Sequence, residues 1–201
     1  MPAISDQQKP VLPSPYARVG EDGVSYLGPH AADIPPGVAT IVLFGPGASE
    51  VKKTLNYPTL SAPKNGREQN GAPETPPGLR LVAVDSGQNW GVASTQLVHA
   101  LMEEHALAVI ALDRDSAHLA EQLGLKVFVP VVALSDDRAL TSTNVAWIFR
   151  LPADAGAAEA VRLVTEAAEV SGDNPERLRD VLASGTMVAG VRFLSTGEPA
   201  Q

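Results

Sequence analysis

The residues able to do chemistry in this sequence gather at three turn-like places. Asp85-Ser86-Gly87-Gln88-Asn89-Trp90-Gly91, Asp113-Arg114-Asp115-Ser116 and Ser135-Asp136-Asp137 each set carboxylates and hydroxyls directly after an apolar run. Carboxylates in such a place accept a cation or a backbone N–H, and hydroxyls donate to a ligand or to the chain itself. Asp136-Asp137 has the residue types of a two-carboxylate acid–base site. Adjacent loop side chains point apart, however, which favours a solvated turn. In the plainer reading Asp115 or Ser116 opens a helix, and Asp136 or Asp137 caps a turn before Ala139.

The patterns that would make these residues catalytic are missing. Asp85–Gly91 has neither GxGxxG spacing nor a Gly-Lys-Ser/Thr end, and Asp85 repels phosphate. Gly45-Pro46-Gly47-Ala48-Ser49-Glu50 lacks the third glycine of a nucleotide loop and reads as a tight turn after a strand. The histidines are His30, His99, His105 and His118. His99 and His105 fall on different faces of one helix, and no HxxxH or HExxH occurs, so no metal site is expected. His105 is expected to interact with the carbonyl end of its helix. There is no cysteine, which excludes disulfides, thiolate metal sites and cysteine nucleophiles. No GxSxG elbow is present. The chain is therefore not expected to be an enzyme, nor to carry a cofactor.

The elements that must position these loops alternate. Val38–Phe44, Leu79–Val84, Ala106–Leu112, Val127–Leu134 and Val145–Leu151 are short apolar runs rich in β-branched residues, the mark of buried parallel strands. Pro130 suggests a break or an edge in the fourth run. Gly91–His105 has Val92, Leu97, Leu101 and Met102 at helical spacing, Ser116–Leu123 is a short helix, and Ala155–Val170 is a long Ala-rich one. Asn174-Pro175-Glu176 reads as an N-cap followed by proline at the first helical position, with that helix ending near Ser184-Gly185. Val188–Leu194 is a last strand candidate. Strands alternating with helices build right-handed βαβ units and a mostly parallel sheet, a three-layer α/β domain. Ligands meet such sheets at the carboxyl ends of the strands, where the polar turns fall.

Proline and glycine divide the chain. Residues 1–78 hold 13 of the 17 prolines and 9 of the 17 glycines. Residues 1–36 are expected to form an extended arm and residues 57–78 a proline-rich surface loop, within a single α/β domain over 37–201. The 201 residues can bury roughly 70% of the unfolded chain's surface, enough for a core without staples. Fifteen Lys+Arg against 23 Asp+Glu leave a net charge of −8 with no basic run, so neither nucleic acid nor an anionic membrane surface is an expected partner. No apolar run is long enough to insert in a bilayer, and no signal peptide is visible at the start of this sequence.

The order of segments resembles the amino-lobe of type I periplasmic solute-binding proteins, the leucine/isoleucine/valine-binding class of ABC-transporter receptors. The resembling pieces are IVLFGP, LRLVAVDSGQNWGVASTQLVHALMEEHALAVIAL, DSAHLAEQLGLKVFVPVVALSDDRALT, NVAWIFRLPADAG and NPERLRDVLASGTMVAGVRFLSTGEP. No one of them is specific, and the order over some five pieces carries the likeness. The resemblance implies one lobe of a two-lobed fold, a periplasmic or extracellular location and amino-acid binding without catalysis. It also implies ligand contacts from Ser116, Ser135 and Asp136.

The departures from that family have physical consequences. The likeness covers the amino-lobe alone, so the enclosure by a second lobe that desolvates a ligand is not expected. The helix after the first strand is interrupted by the proline-rich stretch. The ligand loop reads Leu112-Asp113-Arg114-Asp115-Ser116, charged where the family has a glycine and small hydroxyl residues. Asp113, Asp115, Asp136 and Asp137 together disfavour an anionic ligand, since one like-charge pair at ~6 Å costs about 3 kcal/mol at an effective dielectric of 20. Arg114 and Arg138 offset this only if they turn inward. The expected ligand is an amino acid or cationic amine, with Phe44 and Trp90 as apolar walls, Ser116 and Ser135 as hydrogen-bond donors and Asp136 as cation acceptor. The alternative is a one-lobed interaction module, a homodimer or a protein partner covering the exposed lobe surface.

Overall fold

The computed structural model describes residues 17–20, 23–26, 38–55, 78–87, 90–104, 106–142 and 147–200. Most of the expected arm and of the proline-rich loop, together with His30 and His105, lies outside the described residues. Within the arm, β1 (Ala17–Gly20) and β2 (Gly23–Tyr26) pair antiparallel as a short hairpin, with Ala17 opposite Tyr26.

The main sheet has five strands, all parallel. They are β3 (Val38–Gly45), β4 (Gly78–Asp85), β5 (Ala106–Ala111), β6 (Val131–Leu134) and β7 (Ile148–Leu151), in the spatial order β4-β3-β5-β6-β7. The expected α/β architecture is thus present. All residues of β3 and β5 are buried, because helices cover both faces of the central strands, while the edge strand β4 is only half buried. Each fully buried Ile, Val, Leu or Phe of β3 contributes about 1.5–3 kcal/mol of apolar burial.

Two apolar clusters flank the sheet. Against one face lie α1 (Ala48–Leu55), α4 (Gly156–Ser171) and α5 (Pro175–Ala183); against the other lie α2 (Trp90–Glu103) and α3 (Arg114–Val127). Helix α4 buries Ala160, Val161, Leu163, Val164, Ala167 and Ala168, an i, i+3, i+4, i+7 stripe of mostly small residues that lets the helix sit close to the strands. Asn174 caps α5 as its sequence announces, its side chain accepting from the Arg177 N–H at 2.9 Å with Pro175 at the first turn.

Several boundaries differ from the sequence reading. Helix α1 starts at Ala48, inside what reads as a loop. Helix α3 runs to Val127, so the expected strand from Val127 shrinks to Val131–Leu134. Phe128 turns the chain in the left-handed region (φ 57°), and Pro130 lies between that turn and the strand. The apolar face of α2 is Ala93, Leu97, Ala100 and Leu101; Val92 and Met102 point outward. Small Ala side chains set that face, and a search for large residues overlooks them. Strand β7 begins at Ile148, with 143–146 outside the described residues.

Val188–Leu194 is not a strand of the sheet. It belongs to a folded segment with isolated bridges between Val188 and Val191 and between Phe193 and Pro199. That segment lies along the outer edge of β7, where the Arg150 N–H donates to the Gly197 carbonyl at 2.9 Å. Phe193 meets Phe149 edge to face, ring centroids 5.2 Å apart. Among the described residues no helix is long and apolar enough to cross a membrane.

Candidate functional site

The chain leaves β3 toward α1 on one face and leaves β5 toward α3 on the other. This reversal opens a crevice at the carboxyl ends of β3 and β5, the place where doubly wound sheets take ligands. Three polar turns close around it. Asp85, at the end of β4, accepts from the Gly87 N–H at 3.0 Å and the Gly47 N–H at 3.3 Å, tying its own turn to the one after β3. The Ser86 N–H donates to the Gly45 carbonyl at 3.2 Å. Ser86 Oγ lies 3.1 Å from Ser116 Oγ, a hydroxyl pair joining the turn after β4 to the first turn of α3.

The N-cap of α3 is Asp113, not Asp115 or Ser116. Its side chain accepts from the Ser116 N–H at 2.8 Å. A carboxylate already occupies the positive end of this helix, so an anionic ligand has no vacant donor turn there.

The loop after β6 is held mainly by Asp137. Its Oδ2 accepts from Arg114 Nε at 2.6 Å and stands 3.1 Å from His118 Nε2, while Oδ1 accepts from the Ala139 N–H at 2.9 Å and caps the 3-10 turn Arg138–Thr141. Arg114 thus spends its guanidinium on Asp137 while staying largely exposed. Asp136 points the other way and accepts from the Ala153 N–H at 3.3 Å, as expected for adjacent loop carboxylates.

These partners fix the protonation of the loop. The Arg114 hydrogen bond, then the Ala139 N–H and His118, hold the Asp137 carboxyl well below the usual carboxylate range. The same bond raises the Arg114 guanidinium. Glu198 is also lowered, chiefly by its hydrogen bond with Arg150. Burial pushes Glu121 up, with His118 opposing. A depressed folded-state value contributes stability above the unfolded value, and that stability is lost as pH falls through the folded value. Urea midpoints are therefore expected to hold from pH 7 to 5 and fall below about pH 4. In Asp137→Asn the acid slope should be shallower; an unchanged slope would contradict the assignment. Glu121 works with the opposite sign and softens the acid loss.

The five residues expected from the sequence do not meet on one surface. Phe44 is wholly buried between β3 and the α2/α3 layer, so it packs the core beneath the crevice and is no ligand wall. Ser116 and Ser135 are buried, at 1% and 3% exposure. The Ser116 hydroxyl is shared with Ser86, and the Ser135 hydroxyl accepts from the Asp137 N–H at 3.1 Å. Asp136 is exposed and accepts from the Ala153 N–H. Only Trp90, half exposed, lines a groove: an open cleft of about 350 Å³ between α2 and α3, whose other walls are Asp115, His118, Leu119 and Gln122. Sequence reasoning missed this wall, although 115, 118, 119 and 122 stand at the i, i+3, i+4, i+7 spacing of one helix face. Among the described residues no cluster of three or more His, Asp or Glu stands ready to hold a metal ion.

Solved structures similar to this chain match it at low identity. The Rhodopseudomonas palustris (strain CGA009) protein Rp1789 is 14% identical, with a TM-score of 0.39, over 57% of this chain and 30% of its own. An extracellular ligand-binding receptor from Rhodopseudomonas palustris HaA2 is 13% identical, TM-score 0.41, over 73% of this chain and 44% of its own. An ABC transporter substrate-binding protein from Desulfitobacterium hafniense is 16% identical, TM-score 0.38, over 75% and 49% respectively. The chain spans less than half the length of each of these structures. No protein-family model and no curated protein matches the sequence.

Proposed function

We propose that this protein is a non-catalytic, extracytoplasmic binding protein that takes a small cationic amine or amino acid at the carboxyl edge of its sheet. The observation that carries the reading is the groove beside the crevice, which Trp90 of α2 and Asp115 of α3 line together. An aromatic face and a carboxylate together favour a positive group. The capped N-terminus of α3 and the acid-rich loops disfavour a negative one. The sequence resemblance to one lobe of a type I solute-binding protein supports the same reading. An open groove between two helices gives only partial enclosure, so binding is weak, at micromolar to millimolar strength.

Isothermal titration with amino acids and with spermidine tests this. Saturable heat is expected for the amine, lost in Trp90→Ala and at least fivefold weaker in Asp115→Asn, a change of about 1 kcal/mol. Absence of heat at millimolar spermidine would sink the reading.

A second reading, a one-lobed interaction module, draws on the half-exposed Trp90 and Val92 on the first turn of α2. Light scattering separates the two. A stable dimer that Trp90→Ala dissociates supports interaction over solute capture.

A further inference from the structure

Arg150 is an unusual residue for its place. It lies in β7, its side chain is only 8% exposed, and it serves two partners at once. Its Nη1 donates to the Ser135 carbonyl at 3.1 Å, in the loop after β6. Its Nε and Nη2 donate to the two carboxylate oxygens of Glu198 at 2.9 and 2.5 Å. Thr141 Oγ1 donates to the same carboxylate from the 3-10 turn. A guanidinium this enclosed needs a carboxylate in fork geometry to offset its desolvation. Asp136 and Asp137 add to the attraction from the loop side.

We propose that the segment 191–200 is a strap that positions the candidate site, with Glu198 holding Arg150 and Arg150 holding the Ser135–Asp137 loop. The contacts run without a gap from strap to groove. Glu198 orients the guanidinium, the guanidinium grips the Ser135 carbonyl, and Ser135 Oγ accepts from the Asp137 N–H. Asp137 in turn holds His118, which lines the groove together with Trp90. The strap grips the same residue through its backbone as well, since the Arg150 N–H donates to the Gly197 carbonyl. With the strap lifted, the guanidinium loses its carboxylate and must turn toward solvent, and the Ser135 carbonyl loses its donor. Arg150 and Glu198 are positioning residues, because neither lines the groove. The effect of the strap on ligand capture rests on the function proposed above; its hold on the loop does not.

Hydrogen exchange on the full chain tests the strap, with Glu198→Gln as the mild variant and Arg150→Lys as a second that keeps the charge and loses the fork. Both are expected to lower protection of the Ser135 and Asp137 amides by about tenfold while β3 and β4 keep theirs, the signature of local opening. The His118 ring resonances should shift in the same variants. Protection lost equally in every strand, or unchanged at Ser135 and Asp137, would overturn the proposal. Spermidine titration forms a separate arm, expected to weaken about fivefold in Glu198→Gln. A wild-type protein that binds no spermidine defeats the solute-binding reading alone, and the exchange result still decides the strap.

Discussion

Phe149→Ala is expected to lose about 3–5 kcal/mol of folding stability, as burying a large aromatic and then deleting it leaves a cavity that close-packed strands cannot collapse. Phe149 is fully buried in β7 and belongs to the cluster under α4 and α5. It is also the seat for Phe193, whose ring meets it at an interplanar angle of 62°. An edge-to-face pair adds about 1 kcal/mol beyond the area it buries. Phe149→Ala therefore costs more than the sheet packing alone, because it also removes the platform on which segment 191–200 rests. In a protein of this size the melting temperature should fall on the order of 10 °C. Urea unfolding followed by circular dichroism measures the loss. The double variant with Phe193→Ala should lose less than the sum of the two single losses, because both report on one contact. Strict additivity would mean that the two rings do not support each other.

Gly197→Ala is the second large effect. Gly197 sits at φ +85°, and a Cβ built there would lie 1.9 Å from the Ile148 carbonyl oxygen. The obstacle is backbone in β7, which cannot swing aside as a side chain would. The left-handed conformation costs a residue with a Cβ about 1–2 kcal/mol, and overfilling a packed site adds about 1–3 kcal/mol. A total near 3 kcal/mol is expected, taken out of the strap's grip on the strand edge. Gly190 provides the control. It has nearly the same φ, +80°, with nothing within 4 Å of its hypothetical Cβ. Gly190→Ala should cost only the conformational part, about 1 kcal/mol. Equal losses at the two positions in thermal melts would show that the close approach to β7 is not what Gly197 serves.

These two effects bear on why the sheet ends where it does. Strand β7 would otherwise present a free row of backbone groups, a liability that proteins cover or blunt. Here an irregular segment covers it, tied by one backbone hydrogen bond, one aromatic pair and the Arg150–Glu198 fork. The covering is specific to its side chains, because it has no regular ladder to spread the load.

The parallel sheet was legible in the residues alone. VATIVLF, LRLVAV and ALAVIAL could be recognised as strands because a strand buried on both faces needs a continuous apolar run, and that is a local property. Asn174-Pro175 announced a helix start for an equally local reason, since the cap bonds a residue three positions away. The positions of the polar turns after the strands also followed from the pattern. The use made of those turns emerges only in the folded chain. Nothing local to Ser116 or Ser135 reveals that their hydroxyls are spent on Ser86 and on the Asp137 amide. The same holds for Phe44, whose apolar character fits a ligand wall as well as a core. Val188–Leu194 is a strand candidate by sequence, but in the fold its end belongs to the segment 191–200, which Gly197 and Glu198 fasten to Arg150 along β7. Those contacts join residues some 48 positions apart. Such pairings are chosen by which surfaces the fold brings together, a choice that no short window of sequence contains.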